Sequence, residues 1–279
     1  MSVRQRFRIP VNYYRHFDAD FRLDVPAEGY GGWQKKELEL SFDHTALVVM
    51  HAWEFGTREQ YPGWHRVVEF IPRAQEICRT VFPPLLAAVR ESGMRLYHVV
   101  SSGSYAKDYP GYRRAVALAG PPPEPPEQVP SDPVREALIA FKKEYAYHGL
   151  HNIEDIKRGF KNLTFPPEAL PAGDEGIAEN EAQLFALCKA DRINHLIYAG
   201  CAINWCLLLD SGGMAEMSRH GLMCSALRQA VTAVENKETA RKELCKEIAL
   251  WRVALSFGFV FDVDDFIRAL RGEVRHADR

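Results

Sequence analysis

The sequence predicts an α/β protein of three layers, α/β/α, on a mostly parallel sheet. Three observations carry this. Thr45-Ala46-Leu47-Val48-Val49-Met50-His51 is an unbroken apolar run, as expected of a strand covered on both faces. Further strand-like runs alternate with helical patterns along the rest of the chain, which gives parallel pairing through helical crossovers. Around position 200, a buried strand, a tight turn of small residues and a helix start follow one another directly.

Residues 1–43 carry aromatics and charges without a clear period and read as an extended N-terminal arm that packs on something, such as a partner subunit. Residues 44–279 read as one domain. After the strand at 45–51, a helix is expected from about Arg73 to Ser92, with Ile77, Val81, Leu85, Leu86 and Val89 on one face. Pro83-Pro84 must kink or split it, and Gly93 stops it. Met94 to Val100 is the second strand. Residues 103–133 are rich in Tyr, Gly and Pro and read as a long loop. A helix is expected over 134–146 and a short strand over Phe160–Phe165. Asn180 to Ala190 is a helix, and Asn194 to Ala199 the central strand. The helix after Cys206 breaks at Ser211-Gly212-Gly213 and resumes to His220. Leu222 to Leu227 is a strand, and Lys237 to Phe257 a long helix carrying Leu244, Ile248, Trp251 and Leu255. Phe259 to Asp262 is a last strand, and Val263 to Leu270 a last helix.

With 279 residues, 47% hydrophobic and 26% charged, the chain suits a soluble globular protein. A formal net charge of −2, with no Lys/Arg run, argues against nucleic acid as a partner. No apolar run reaches membrane-spanning length, so no membrane partner is expected. Met1 to Phe7 lacks the apolar core of a secretion signal, and a cytoplasmic location is expected. Six cysteines stand at 78, 188, 201, 206, 224 and 245, without a CxxC pair. Most fall inside apolar patterns, as buried free thiols in a reducing compartment do.

Cys206 differs from the others by position. Its thiol falls at the start of a helix and at the carboxyl end of a strand, where unpaired N–H groups favour a thiolate and can also hold an oxyanion. His51 falls at a second strand end. In parallel sheets that edge is where sites are built, so the two are expected to share a pocket. Trp53 and Trp205 flank them and are candidates to wall a substrate pocket. Each has a plainer reading: a buried thiol, a core histidine, ordinary aromatic packing. Tyr105, Tyr109 and Tyr112 read as a loop that packs by its aromatics, with a lid as the alternative. His148 and His151 are spaced like a metal pair, but with no third ligand evident they read as loop histidines.

Gly200-Cys201-Ala202-Ile203-Asn204-Trp205-Cys206 resembles the nucleophile turn of the isochorismatase-like cysteine hydrolase superfamily, which includes nicotinamidases and related amidases and has a pattern close to G-V-A-T-N-x-C. Over about residues 44–270, the order of strands, nucleophile and helices is also similar. The resemblance implies a Rossmann-like sheet, Cys206 as nucleophile, an oxyanion hole from the amides of Ala202 and Cys206, and a cis peptide joining Cys201 to Ala202. It further implies hydrolysis of a C–N bond in a small amide-like substrate through a thioester, without a cofactor, in a homo-oligomer.

The sequence departs from the pattern in three places. His51 stands where the family has an aspartate, and a histidine can shuttle the proton in its place. Lys161 has the best spacing for the family's lysine, with Lys157 a weaker choice and Pro166 the result of a shifted alignment. Ile203 replaces a threonine. The segment Glu54 to Arg66 offers only Glu54, Glu59 and His65 where nicotinamidases place a D-x-H-x-x-H metal set, so no zinc or iron site is expected in this protein. The altered acid and the uncertain lysine leave a second reading open: a non-hydrolytic member of the family that binds a small molecule or serves as an interaction scaffold.

Overall fold

A computed structural model describes residues 6–101, 105–121, 124 and 126–273. Its strands are β1 (Arg6–Arg15), β2 (Gly32–Ser41), β3 (Thr45–Met50), β4 (Arg95–Val99), β5 (Gly176–Ala178), β6 (His195–Gly200), β7 (Met223–Val231) and β8 (Val260–Phe261). Between β3 and β4 lie α1 (Pro62–Val67), α2 (Ile71–Thr80) and α3 (Phe82–Ser92). Then come α4 (Pro110–Ala119), α5 (Pro133–Tyr145), α6 (Ile153–Lys161) and α7 (Glu181–Asp191). After β6 come α8 (Cys206–Leu209), α9 (Met214–Arg219), α10 (Leu244–Ser256) and α11 (Val263–Arg271).

All eight strands form one sheet in the order β2-β1-β8-β7-β6-β3-β4-β5. The six strands from β8 to β5 are parallel. β3 is buried along its whole length, as its unbroken apolar run requires. Alternate residues of β3 feed two cores. Ala46, Val48 and Met50 pack with residues of α4, α7, α9 and α10. Leu47 and Val49 pack on the other face with α3 and α11. These are the three layers that the alternating pattern predicts.

The chain runs outward from β3 to β4 and β5, then returns to β6 on the opposite side of β3 and continues to β7 and β8. The strand order therefore reverses between β3 and β6. A crevice opens at such a reversal, outside the carboxyl ends of the two strands. Met50 pairs with Gly200, so both strands end at the same level. The Cys201 amide donates to the Met50 carbonyl at 3.1 Å, and the His51 amide donates to the Val99 carbonyl at 2.9 Å. His51 and the 201–206 turn are thereby set side by side at the mouth of the crevice.

Several local expectations are corrected. The N-terminal segment is a β-hairpin: β1 and β2 pair antiparallel, and β1 extends the sheet beside β8. Phe7, Ile9 and Val11 are buried in the chain's own core, and Tyr14 and His16 pack against Trp251. The 103–133 segment holds α4, whose Tyr112 and Ala115 are buried; the period was masked by the surrounding Tyr, Gly and Pro. Residues 103, 104, 122, 123 and 125 of that segment, and 274–279 of the expected domain, lie outside the described residues. Phe160–Phe165 is no strand, because α6 runs to Lys161. Before α10, the expected long helix from Lys237 is replaced by a short turn at Ala240–Lys242. The Pro83-Pro84 pair does split the expected helix, into α2 and α3. No helix of the described residues is long and apolar enough to cross a membrane.

Gly200 is the tightest point of this frame. Its φ is +120°, and a Cβ built there would lie 1.8 Å from the Met50 carbonyl oxygen. Any side chain must push β3 and β6 apart where the site begins. Gly200→Ala is expected to cost more than about 3 kcal/mol, read from the urea unfolding midpoint. An unchanged midpoint would show that the two strand ends are not held this closely.

Candidate active site

The crevice holds a pocket of about 370 Å³, within the range of small-molecule sites. Its lining includes His51, Ala202, Cys206 and Asp210 on one side and Trp53, Trp64, Phe70, Tyr147, Phe160 and Trp205 around them. None of the described residues that line it is Lys or Arg.

The 201–206 turn is braced on three sides. The Ile203 amide donates to the Thr232 carbonyl at 2.7 Å, and the Thr232 amide donates to the Gly200 carbonyl at 3.2 Å. The Asn204 side chain bridges both ways to Val234, donating from Nδ2 to its carbonyl at 2.8 Å and accepting its amide at 2.9 Å. The Ala202 carbonyl accepts the amides of Trp205 and Leu207, both at 3.1 Å. The Cys201–Ala202 peptide bond is cis. The Ala202 backbone N–H faces the Cys206 sulfur and favours its anion.

Other surroundings oppose ionisation of the thiol. Burial is the largest influence, and with the carboxylate of Asp210 it pushes the Cys206 thiol up to about 12. These surroundings run against the thiolate expected from a helix start. α8 has only four residues, and desolvation outweighs what its few free N–H groups supply.

His51 is 4% exposed, and its ring stacks on Trp53 with centroids 4.9 Å apart at 22°. Burial holds its pKa down to about 4, against the opposing charge of Asp210, so the ring is neutral near pH 7. Its buried Nδ1 has no hydrogen-bond partner and lies 4.0 Å from Asp210 Oδ2. One ligand atom from each of His51, Cys206 and Asp210 lies within 4.8 Å of the others.

Trp53 and Trp205 both reach the pocket, Trp53 buried and Trp205 42% exposed. Trp205 packs on Tyr147 at 5.3 Å, and Trp53 on Phe160 at 5.5 Å. Lys161 does not reach it. Residue 160 turns its ring into the pocket, and residue 161, about 100° further round the helix, is exposed. Lys157 is paired with Glu154 on the surface. Tyr105 and Tyr109 pack on Phe165, and Tyr105 also packs behind the pocket wall against the cluster that holds Trp53, although neither tyrosine lines the pocket. His148 does line the pocket, although its sequence context reads as a plain loop.

The residue that sequence reasoning missed is Asp210. It stands four positions after Cys206, one helical turn on, so both side chains share a face. That i, i+4 spacing was the signal available. Because Asp210 penalises the thiolate, Asp210→Asn is expected to speed alkylation of Cys206 by iodoacetamide at pH 8. In the unaltered protein the alkylation rate should keep rising from pH 7 to 10. A plateau below about 8.5, the ordinary thiol value, would contradict this electrostatic reading.

No family model matches the chain, and no curated protein does. Solved structures do. A cysteine hydrolase from Pseudomonas syringae pv. phaseolicola is 14% identical, covers 84% of this chain and 96% of its own, and has a TM-score of 0.46. An isochorismatase family protein from Burkholderia thailandensis is 15% identical, covers 82% and 96%, and has a TM-score of 0.47. An isochorismatase from Pseudomonas putida is 17% identical, covers 80% and 90%, and has a TM-score of 0.41. The chain is similar in fold to isochorismatase-family and cysteine-hydrolase structures.

Proposed function

We propose that this protein is a cysteine hydrolase that cleaves the C–N bond of a small amide-like substrate through a thioester on Cys206. The observation that carries this reading is the cluster of Cys206, Asp210 and His51 at the wall of an aromatic pocket, beside an amide that faces the sulfur.

The thiol stays protonated until substrate binds. As sulfur attacks the carbonyl carbon, its proton passes to the Asp210 carboxylate and the S–C bond forms. The Ala202 and Cys206 amides hold the resulting oxyanion. The tetrahedral adduct collapses, the C–N bond breaks, and Asp210 returns the proton to the leaving nitrogen. Water then attacks the thioester with Asp210 as base, and the thiol is restored. His51, neutral and unpartnered at Nδ1, positions the Asp210 carboxylate or donates to the substrate. This moves the proton shuttle from the strand end to Asp210. No lysine enters the scheme, and Lys161→Ala is expected to leave kcat/KM within about twofold.

The pocket walls specify a flat, apolar substrate, since six aromatic rings line a space of about 370 Å³. With Asp210 and Glu69 present, no Lys or Arg among the described lining and His51 neutral, a substrate carboxylate has no permanent counter-charge. Benzamide-like amides are therefore expected to be turned over at least about tenfold more efficiently than the same amides bearing a carboxylate.

Cys206→Ala should abolish turnover, and Asp210→Asn should lower kcat by at least about a hundredfold. Because the active form carries neutral His51, activity should fall only as pH drops toward about 4. No acid limb centred near 6.5 is expected in kcat/KM. Full activity in Cys206→Ala would end the covalent mechanism.

One observation favours the second reading, a non-hydrolytic protein that binds a small molecule: the Cys206 thiol is pushed up rather than down. Tight binding of a benzamide-like ligand, with no turnover across an amide panel, would support it.

A further inference from the structure

We infer that His51, Cys206 and Asp210 form a three-ligand site for Zn²⁺ or a similar borderline-soft divalent ion, and that occupancy silences the thiol. The site goes beyond the hydrolase reading. It shares Cys206 with that reading but does not require turnover.

The first observation is the donor set. An imidazole nitrogen, a thiol sulfur and a carboxylate oxygen all lie within 4.8 Å of one another. Such a mixed N, S and O set suits zinc far better than magnesium or calcium. An ion at the centre of that triangle sits no more than about 2.8 Å from each donor, so movements of at most about 0.5 Å at sulfur and about 0.8 Å at nitrogen and oxygen reach the usual Zn–S, Zn–N and Zn–O distances. The Asp210 side chain is 53% exposed and free to make such a movement. The second observation is independent of the first. His51 Nδ1 is buried in a side chain that is 4% exposed, and it has no hydrogen-bond partner. A buried ring nitrogen left unpaired is costly, and a metal in the cluster would satisfy it. These residues lie outside the Glu54–Arg66 segment, and the proposal departs from the expectation that the protein holds no metal.

Three protein ligands leave a fourth position, which faces the pocket. On binding, the Cys206 S–H proton is released to solvent and an S–Zn bond forms, with no change of oxidation state. Sulfur committed to the metal no longer attacks a carbonyl, so the loaded form is inactive toward amides. Chelation reverses this.

The test uses the whole, reduced protein and Co²⁺ as a spectroscopic probe. One equivalent of Co²⁺ should produce a near-ultraviolet thiolate-to-metal charge-transfer band together with visible bands of four-coordinate geometry. Zn²⁺ should bleach them, and Mg²⁺ should not. Cys206→Ser should remove the charge-transfer band, with folding checked by circular dichroism. Asp210→Asn, at a half-exposed position that leaves the fold intact, should weaken Co²⁺ binding at least about tenfold. A band that survives in Cys206→Ser would place the ion on another thiol and overturn the proposal. So would the absence of any band in the folded, unaltered protein. The spectrum reads metal binding alone, so a protein that hydrolyses no amide can still pass this test, and an active one can fail it.

Discussion

The site depends on how closely β3 and β6 meet at their carboxyl ends. The Cys201 amide bonds the Met50 carbonyl, and Gly200 leaves no room for a side chain against it. That contact fixes where each strand stops. One residue beyond Met50 is His51, and one beyond Gly200 begins the turn that presents Cys206. Two side chains 155 positions apart in the chain reach one pocket because two parallel strands are level and adjacent. The reversal of strand order between them opens the crevice above. Loosening this contact would spread the site before it touched either outer core.

The chemistry follows from placing three polar groups against aromatic walls. Low polarity raises the thiol, lowers the imidazole and strengthens whatever interaction Asp210 makes with each. A free thiolate is disfavoured, so proton removal must accompany attack instead of preceding it. The same environment explains why the pocket suits uncharged flat molecules and why an unpaired His51 Nδ1 stands out within it.

The fold was largely legible because its signals are local. The unbroken 45–50 run, the helical periods and the glycine stops report burial directly. The hairpin at the N-terminus was harder to see. β1 and β2 are half exposed, and β8, which joins β1 to the rest of the sheet, is only two residues long and more than 200 positions away. α4 was hidden by its Tyr- and Pro-rich surroundings. In the site, Cys206, His51, Trp53 and Trp205 could be read from their strand ends. Asp210 is not legible from the strand edge, because it enters the site from one helical turn beyond Cys206. Lys161 was misplaced because spacing to Cys206 says nothing about which face of α6 a residue takes. The balance between helix start and desolvation at Cys206 could not be read at all, since it depends on walls contributed by α1, α6 and the segment after α5.

The most direct test of the central claim is acid-quenched intact-protein mass spectrometry with peptide mapping, on protein mixed with an activated benzamide such as a benzoyl anilide. The account predicts one transient benzoyl group, on Cys206, that forms before aniline release reaches its steady rate. Steady aniline release with no adduct on Cys206, or with the acyl group on another residue, would contradict it.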